Sequence, residues 1–136
     1  MGSTALELTG PKPTDIAYLA GVFDGEGCVL FDRINVDNTN PHLLVMYRDA
    51  WGGRIRFKST PKEHRTCFRW TVMGDNCRNA LRAMMPYLIE KKEQAEINLI
   101  VTTYPPKSAM RSYHKQKLKE LKRIDYGEHA ESLGIS

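Results

Sequence analysis

A carboxylate between two glycines is the first feature of this chain that could do chemistry. Residues 19–27 read LAGVFDGEG, and Glu26 lies near the end of the segment, between Gly25 and Gly27. Glycines are typical of helix ends, so the pattern predicts a carboxylate at the end of a helix. Carboxylate oxygens are ligands that Mg2+ takes in proteins. Taken alone, Glu26 is more simply explained as a solvated residue at a helix end.

The residues before Glu26 predict the helix that would present it. Thr14 can cap this helix behind Pro13, and the glycines stop it after about three turns. Bulky apolar residues recur at helical spacing on one stripe, formed by Ile16, Leu19 and Phe23. A second stripe is nearly free of bulky side chains and comprises Ala17, Ala20, Gly21 and Asp24. Such a stripe lets another helix approach closely.

Size and composition predict a single domain that could bind nucleic acid. The chain has 136 residues and a formal charge of +4, which permits a nucleic-acid partner without requiring one. Three cysteines without a paired short spacing predict reduced thiols rather than a disulfide framework or a zinc ribbon. We see no apolar run suited to a membrane span and no signal-peptide pattern. We therefore expect an intracellular protein, cytoplasmic or organellar, that is not secreted and has no membrane partner.

The remaining pattern predicts an α+β fold with an antiparallel sheet. Residues 28–39 read as extended, and Asn40 with Pro41 starts a second helix that ends at Gly52 and Gly53. Residues 54–58 and 67–72 alternate as a hairpin. Asp75 or Asn76 can cap a third helix, which Pro86 should break, and helix should resume over 87–101. Beyond Pro105 and Pro106, where we expect the compact part to end, a basic helix is predicted over 113–124.

Basic residues cluster in the predicted hairpin. Between positions 54 and 69 a single acid, Glu63, stands against six cations: Arg54, Arg56, Lys58, Lys62, Arg65 and Arg69. Strand alternation directs several of them to one face, which could contact phosphates or read guanine edges. The alternative is a solvated sheet face. The basic run over residues 107–123 could add backbone contacts or be a soluble tail.

Four segments, in order, resemble the LAGLIDADG homing endonuclease family. They are residues 19–27 (the motif itself), 34–40 (INVDNTN), 51–55 (WGGRI) and 86–95 (PYLIEKKEQA). The resemblance covers about residues 14–101, with a basic extension over about 107–136, within one domain spanning 1–136. It implies an αββαββα saddle-shaped unit that sits on double-stranded DNA. A single motif implies a homodimer whose motif helices pair through Ala17, Ala20, Gly21 and Asp24.

The resemblance also implies the roles of individual residues. Glu26 is the predicted ligand for Mg2+ (or Mn2+), with the carbonyl of Gly25 facing the metal, and Lys91 supports the water network of a DNA endonuclease. Asn38 lies where the family places a polar residue near that network, although a cap or turn role is the simpler explanation. Asp24 is expected to satisfy backbone groups at the helix pair. The implied reaction is a double-strand break at a partly palindromic site.

The chain departs from the family pattern between the first two helices. Only twelve residues, 28–39, occupy an interval that the family uses for two strands and a projecting turn. The first hairpin must be tiny or absent, with Arg33 as its sole cation on a DNA-binding face. Three explanations stay open: recognition of a short site, a loop removed by engineering, or a relative that binds without cutting specifically. The alternative function is a non-catalytic DNA- or RNA-binding relative, such as an intron maturase or a transcription factor.

Overall fold

The computed structural model describes residues 10–58 and 65–135. Its main elements in chain order are α1 (Pro13–Glu26), β1 (Gly27–Leu30), β2 (Arg33–Asn38), α2 (Pro41–Trp51), β3 (Arg54–Lys58), β4 (Cys67–Met73), α3 (Gly74–Met84), α4 (Lys92–Val101) and α5 (Ala109–Leu121). Short 3-10 turns cover Met85–Tyr87, Tyr126–His129 and Glu131–Leu133. Over these residues no helix is long and apolar enough to cross a membrane.

The four strands form one antiparallel sheet in the order β1-β2-β4-β3. β1 and β2 pair with Gly27 opposite Val36 and Leu30 opposite Arg33, leaving Phe31 and Asp32 as the whole turn. Asp32 has a positive φ of 51°, a conformation that aspartate tolerates in turns. The first hairpin is therefore present but tiny, and the predicted α+β fold with an antiparallel sheet is confirmed.

One face of the sheet carries the hydrophobic core. Ile34, Val36, Trp70 and Val72 point to this face and are buried beneath α1, α2 and α3. Trp70 stacks on Tyr47 with 4.8 Å between ring centroids, and its Nε1 donates a hydrogen bond to the Gly52 carbonyl at 2.8 Å. The Tyr47 hydroxyl donates to the Leu19 carbonyl at 2.6 Å. These bonds join α2 to α1 and to the sheet.

Several predicted helix boundaries are wrong, although the helices exist. α1 extends from Pro13 through Gly25 to Glu26, and Lys12 rather than Thr14 precedes it. α3 starts at Gly74, so Asp75 lies inside it rather than capping it. α4 begins only at Lys92, because the N–H groups of residues 89–91 bind a carboxylate instead of continuing a helix.

The C-terminal helix is part of the packed structure. α5 starts at Ala109 because the Ser108 hydroxyl caps it, accepting from the Arg111 N–H at 3.1 Å. It packs against α4, and Leu118 is buried in the main core. The compact part therefore continues beyond Pro105 and Pro106, where we expected it to end.

Gly53 supplies a test of the packing between α2 and the sheet. It has a φ of +90°, and a Cβ there would lie 2.4 Å from the Thr71 carbonyl oxygen. We expect Gly53→Ala to lower the free energy of unfolding by roughly 3 kcal/mol through strain and overlap together. Gly74→Ala shares the positive φ but meets nothing within 4 Å, so it should cost only roughly 1 kcal/mol. Urea unfolding measures both; equal losses would contradict the close approach.

Candidate nucleic-acid interface and carboxylate site

The face of the sheet away from the core is a groove lined by cations. Alternation places residues 33, 35 and 37 of β2 and residues 54, 56 and 58 of β3 on this face. The groove encloses about 720 Å³. Five of the predicted DNA-binding residues line it: Arg33, Arg54, Arg56, Lys58 and Arg69. Arg65 is exposed but does not line the groove, and Lys62 lies outside the described residues.

An aspartate that the sequence reasoning missed organises two of these cations. The Asp37 carboxylate accepts from Arg69 Nε at 2.7 Å, from Arg69 Nη2 at 3.0 Å and from Lys58 Nζ at 2.8 Å. The hydrogen bond from Arg69 holds the pKa of Asp37 below its ordinary value, with burial opposing and Lys58 assisting. Its place in the 34–40 segment could have indicated this role, because Asp37 lies two residues beyond Asn35 and so on the same side of β2.

The other groove cations are free to meet a ligand. Among residues 10–58 and 65–135, Arg33, Arg54 and Arg56 form no ion pair. Arg56 stands opposite Arg69 in the ladder, and Asp37 offsets the repulsion that two neighbouring guanidinium groups would otherwise cause. A second polar pair braces the groove floor, where Thr71 Oγ1 donates to Asn35 Oδ1 at 2.9 Å. The face thus offers positive charge on a fixed frame.

Glu26 is the last residue of α1 and is exposed. It makes no ion pair within the part of the chain that the structure describes. The next residue, Gly27, starts the edge strand β1, and its Cβ would lie 2.2 Å from Phe23 Cδ1. Glycine is needed at this position because α1 passes directly into β1 there and leaves no room for a side chain. The Gly25 carbonyl belongs to the last turn, where helix carbonyls lack intrahelical partners.

Asp24 and Lys91 join this helix end to the segment before α4. The Asp24 carboxylate accepts the N–H groups of Ile89 at 3.0 Å, Glu90 at 3.0 Å and Lys91 at 2.8 Å. In return, Lys91 Nζ donates to the Asp24 carbonyl oxygen at 2.6 Å. Lys91 is buried, and its ammonium contacts the carbonyl of Asp24, which precedes Gly25 by one residue and Glu26 by two in the chain. Lys91 thus contacts the residue before Gly25, and the roles predicted for Glu26, Gly25 and Lys91 stay predictions.

These contacts correct the prediction for Asp24. The backbone groups that it satisfies belong to its own chain rather than to a paired helix. Burial would raise the pKa of this carboxyl, but the three N–H bonds and the Lys91 charge outweigh it, so the pKa lies below its ordinary value of 3.8.

The open face of α1 is rotated from the predicted stripe. Ala20 is fully buried in the core, because its position lies close to Leu19 and Phe23 around the helix. The predicted interface role of Ala20 is therefore wrong, because its own chain covers this side chain. A shallow depression on the exposed side is lined by Ala17, Tyr18, Gly21, Val22, Gly25 and Glu26. Ala17 and Gly21 thus keep their place on the open face.

Asn38 takes the turn-forming role that the sequence left open. Its Oδ1 accepts from the Asn40 N–H at 2.8 Å, and the Asn40 side chain accepts from the His42 N–H at 2.9 Å to cap α2. Asn38 lies two residues beyond Val36, the ladder partner of Gly27, and so at the same end of the sheet as Glu26. A catalytic role for Asn38 stays a prediction.

Comparisons with known proteins find the same fold among solved structures. No protein-family model and no curated protein matches the chain. The homing endonuclease I-CvuI, crystallised in complex with its target (Sro1.3) in the presence of 2 mM Ca, matches with a TM-score of 0.68 and 18% identity, covering 91% of this chain and 97% of that chain. I-CvuI in complex with the I-CreI target (C1221) in the presence of 2 mM Mg, with DNA not cleaved, matches with a TM-score of 0.67 and 18% identity, covering 90% and 96%.

The chain therefore has the fold of a homing endonuclease, as the resemblance predicts. Within that fold it combines a cationic groove with an exposed carboxylate at the end of α1.

The Asp24 contacts predict a pH-dependent stability. Because its folded pKa lies below the unfolded value, the ionised carboxylate stabilises the fold above about pH 4, and this stabilisation is lost as pH falls through the folded pKa. Asp24→Asn should lower the free energy of unfolding by roughly 1–3 kcal/mol at pH 7. The difference in the free energy of unfolding between this variant and the unmodified protein should become smaller below about pH 4. Urea unfolding over this range measures it, with exposed Asp49→Asn as control; a pH-independent difference would contradict the contact.

Proposed function

We propose that the protein is a homodimeric DNA endonuclease that uses Mg2+ (or Mn2+) to make a double-strand break at a partly palindromic site. The observation that carries this proposal is the exposed Glu26 carboxylate at the end of α1, directly before the edge strand of a sheet whose groove is lined by five cations. The shared fold supports it, since I-CvuI is a homing endonuclease crystallised with target DNA.

The open face of α1 supports a homodimer. Tyr18 is 56% exposed, and a Cβ at Gly21 or Gly25 would meet nothing within 4 Å of the chain. Two copies can therefore bring these helices close together along a two-fold axis. Such an approach places two Glu26 carboxylates beside each other, one for each DNA strand. The Asp24 carboxylate stays in its own chain, and Glu26 is the one charged residue among those that line the depression on this face.

The donor set at the helix end fits a magnesium-type cation. Glu26 offers a carboxylate and Gly25 a carbonyl without an intrahelical partner, and both are hard oxygen ligands. Mg2+ typically takes one or two carboxylates together with waters and phosphate oxygens. When bound, the cation would polarise the phosphate and make a bound water more acidic.

The other residues position this site and the DNA. Lys91 holds the last turn of α1 through the Asp24 carbonyl, which keeps Gly25 and Glu26 in register with the sheet. The positive charge of Lys91 is held at the carbonyl of Asp24, two residues before Glu26. There it would stabilise the negative charge that develops during phosphodiester hydrolysis. Free Arg54 and Arg56 would bind phosphates or guanine edges in the groove.

The short first hairpin favours a second candidate function. A protein with this reduced face could bind DNA or RNA without cutting, as a maturase or a transcription factor would. Glu26, exposed and unpaired within the described residues, argues for the endonuclease, because a binder does not need a free carboxylate beside anionic phosphates.

Removing the Glu26 charge tests the enzyme. Glu26→Gln should lower the plasmid cleavage rate in Mg2+ at least about 100-fold while changing duplex affinity little, because the metal loses its carboxylate ligand. Glu90→Gln makes the same chemical change at a nearby exposed position and should cut normally. Linearisation of a plasmid library is the measurement.

Two outcomes would contradict the proposal of an endonuclease. One is a protein that binds duplex DNA but cuts no plasmid in Mg2+ or Mn2+. The other is equal activity of Glu26→Gln and the unmodified protein. In the first case, RNA and DNA binding compared over a salt series would identify the non-catalytic function.

Gly21→Ala tests the dimer. In a single chain the added methyl group meets nothing within 4 Å, so helix propensity should raise monomer stability by about 1 kcal/mol. Between two closely packed helices the same methyl group should weaken association at least about 10-fold, a change of about 1.4 kcal/mol. Sedimentation equilibrium measures association, with exposed Ser112→Ala on α5, away from the open face of α1, as control. A monomer at micromolar concentration would refute the shared site.

A further inference from the structure

The turn of the first hairpin is held against the body of the protein rather than projecting from it. The Asp32 N–H donates to Asn98 Oδ1 of α4 at 2.8 Å, and its carbonyl accepts from the Gly74 N–H at 3.2 Å. Arg78 of α3 joins the Asp32 carboxylate to that of Asp75. Two separate helices, α3 and α4, therefore fix a single turn residue.

The other turn residue, Phe31, is contacted by two side chains of α5 and is still 36% exposed. Lys115 Nζ lies 4.0 Å from the Phe31 ring centroid, and Arg111 Cζ lies 5.0 Å from it. Both are cation–π contacts. Both residues of the turn are therefore held by helices of the same chain, so the turn lies against the body of the protein.

The same helix places positive charge beside the edge strand β1. Arg111, Lys115 and Lys122 are four and seven residues apart, which puts them on one side of α5. Near the other end of β1, Lys122 Nζ lies 3.9 Å from Cys28 Sγ. We call these three residues the β1-side stripe. Arg111 also donates to the Val101 carbonyl at 3.3 Å, whereas Lys115 and Lys122 are exposed and form no ion pair in the described ranges.

We propose that the groove of the sheet reads a short segment of each half-site, and that the β1-side stripe holds phosphates beside β1 without regard to sequence. This inference rests on the proposed DNA binding by a homodimer, but not on cleavage. The Cys67–Met73 strand spans roughly 20 Å at 3.4 Å per residue, the length of about six base pairs. Lysine ammonium groups act on phosphates as point charges and carry no base readout.

The first experiment is a binding selection on a palindromic duplex library with about 12 base pairs randomised in each half-site, recovered without cleavage. Base preference is expected within about six consecutive base pairs of each half-site and absent outside them. Preferences that extend continuously over about nine or more base pairs would overturn the proposal.

The second experiment measures affinity against salt for Lys115→Gln with Lys122→Gln. The slope of log affinity against log salt should fall by about 0.9 for each phosphate that a lysine no longer neutralises, or roughly 2 for each bound protomer. The selected motif should stay unchanged. Lys115→Arg with Lys122→Arg should restore the slope, and Lys117→Gln, two residues along and on the opposite side of α5, should leave it unaltered.

The outcomes separate this inference from the endonuclease. An unchanged slope, or a motif altered by the double variant, overturns the role of the stripe. A short motif with a reduced slope supports it even if no plasmid is cut. Failure to bind any duplex overturns both proposals, and urea unfolding of each variant confirms that the fold is intact.

Discussion

The contact between Asp24 and the segment before α4 is the constraint on which the candidate site depends. One carboxylate accepts three backbone N–H groups, and Lys91 returns a bond to the Asp24 carbonyl. Two segments more than sixty residues apart are thereby fixed to each other. Through this contact, the buried Lys91 is tied to the end of α1 that carries the exposed Glu26, although the two side chains do not contact each other.

Charge in the groove is balanced rather than simply accumulated. Asp37 neutralises part of the positive charge of Arg69 and Lys58 and fixes where both side chains point, while Arg54 and Arg56 form no ion pair within the described ranges. An arginine held by a carboxylate presents its remaining N–H groups in a set direction, which suits base recognition better than a mobile side chain does. The turn at Phe31 and Asp32 is likewise held in place, by contacts with α3, α4 and α5.

Much of the fold could be predicted because its signals are local. Gly52 and Gly53 end α2, alternation gives β3 and β4, and Pro86 breaks the chain after α3, each through the conformational limits of neighbouring residues. The boundaries at Gly74 and Lys92 could not be read in this way. They depend on partners distant in sequence, namely Asp32 for the N–H of Gly74 and Asp24 for the N–H groups before Lys92.

The sequence by itself determined the element types, the small size of the first hairpin and the presence of Glu26 at a helix end, because spacing and glycine chemistry act within a few residues. Only the tertiary structure decided that Ala20 is buried, that Asp24 binds its own chain, and that α5 lies along β1. Helical spacing shows which residues share a side of α1 but not which side meets the sheet. That choice follows from packing across the whole chain.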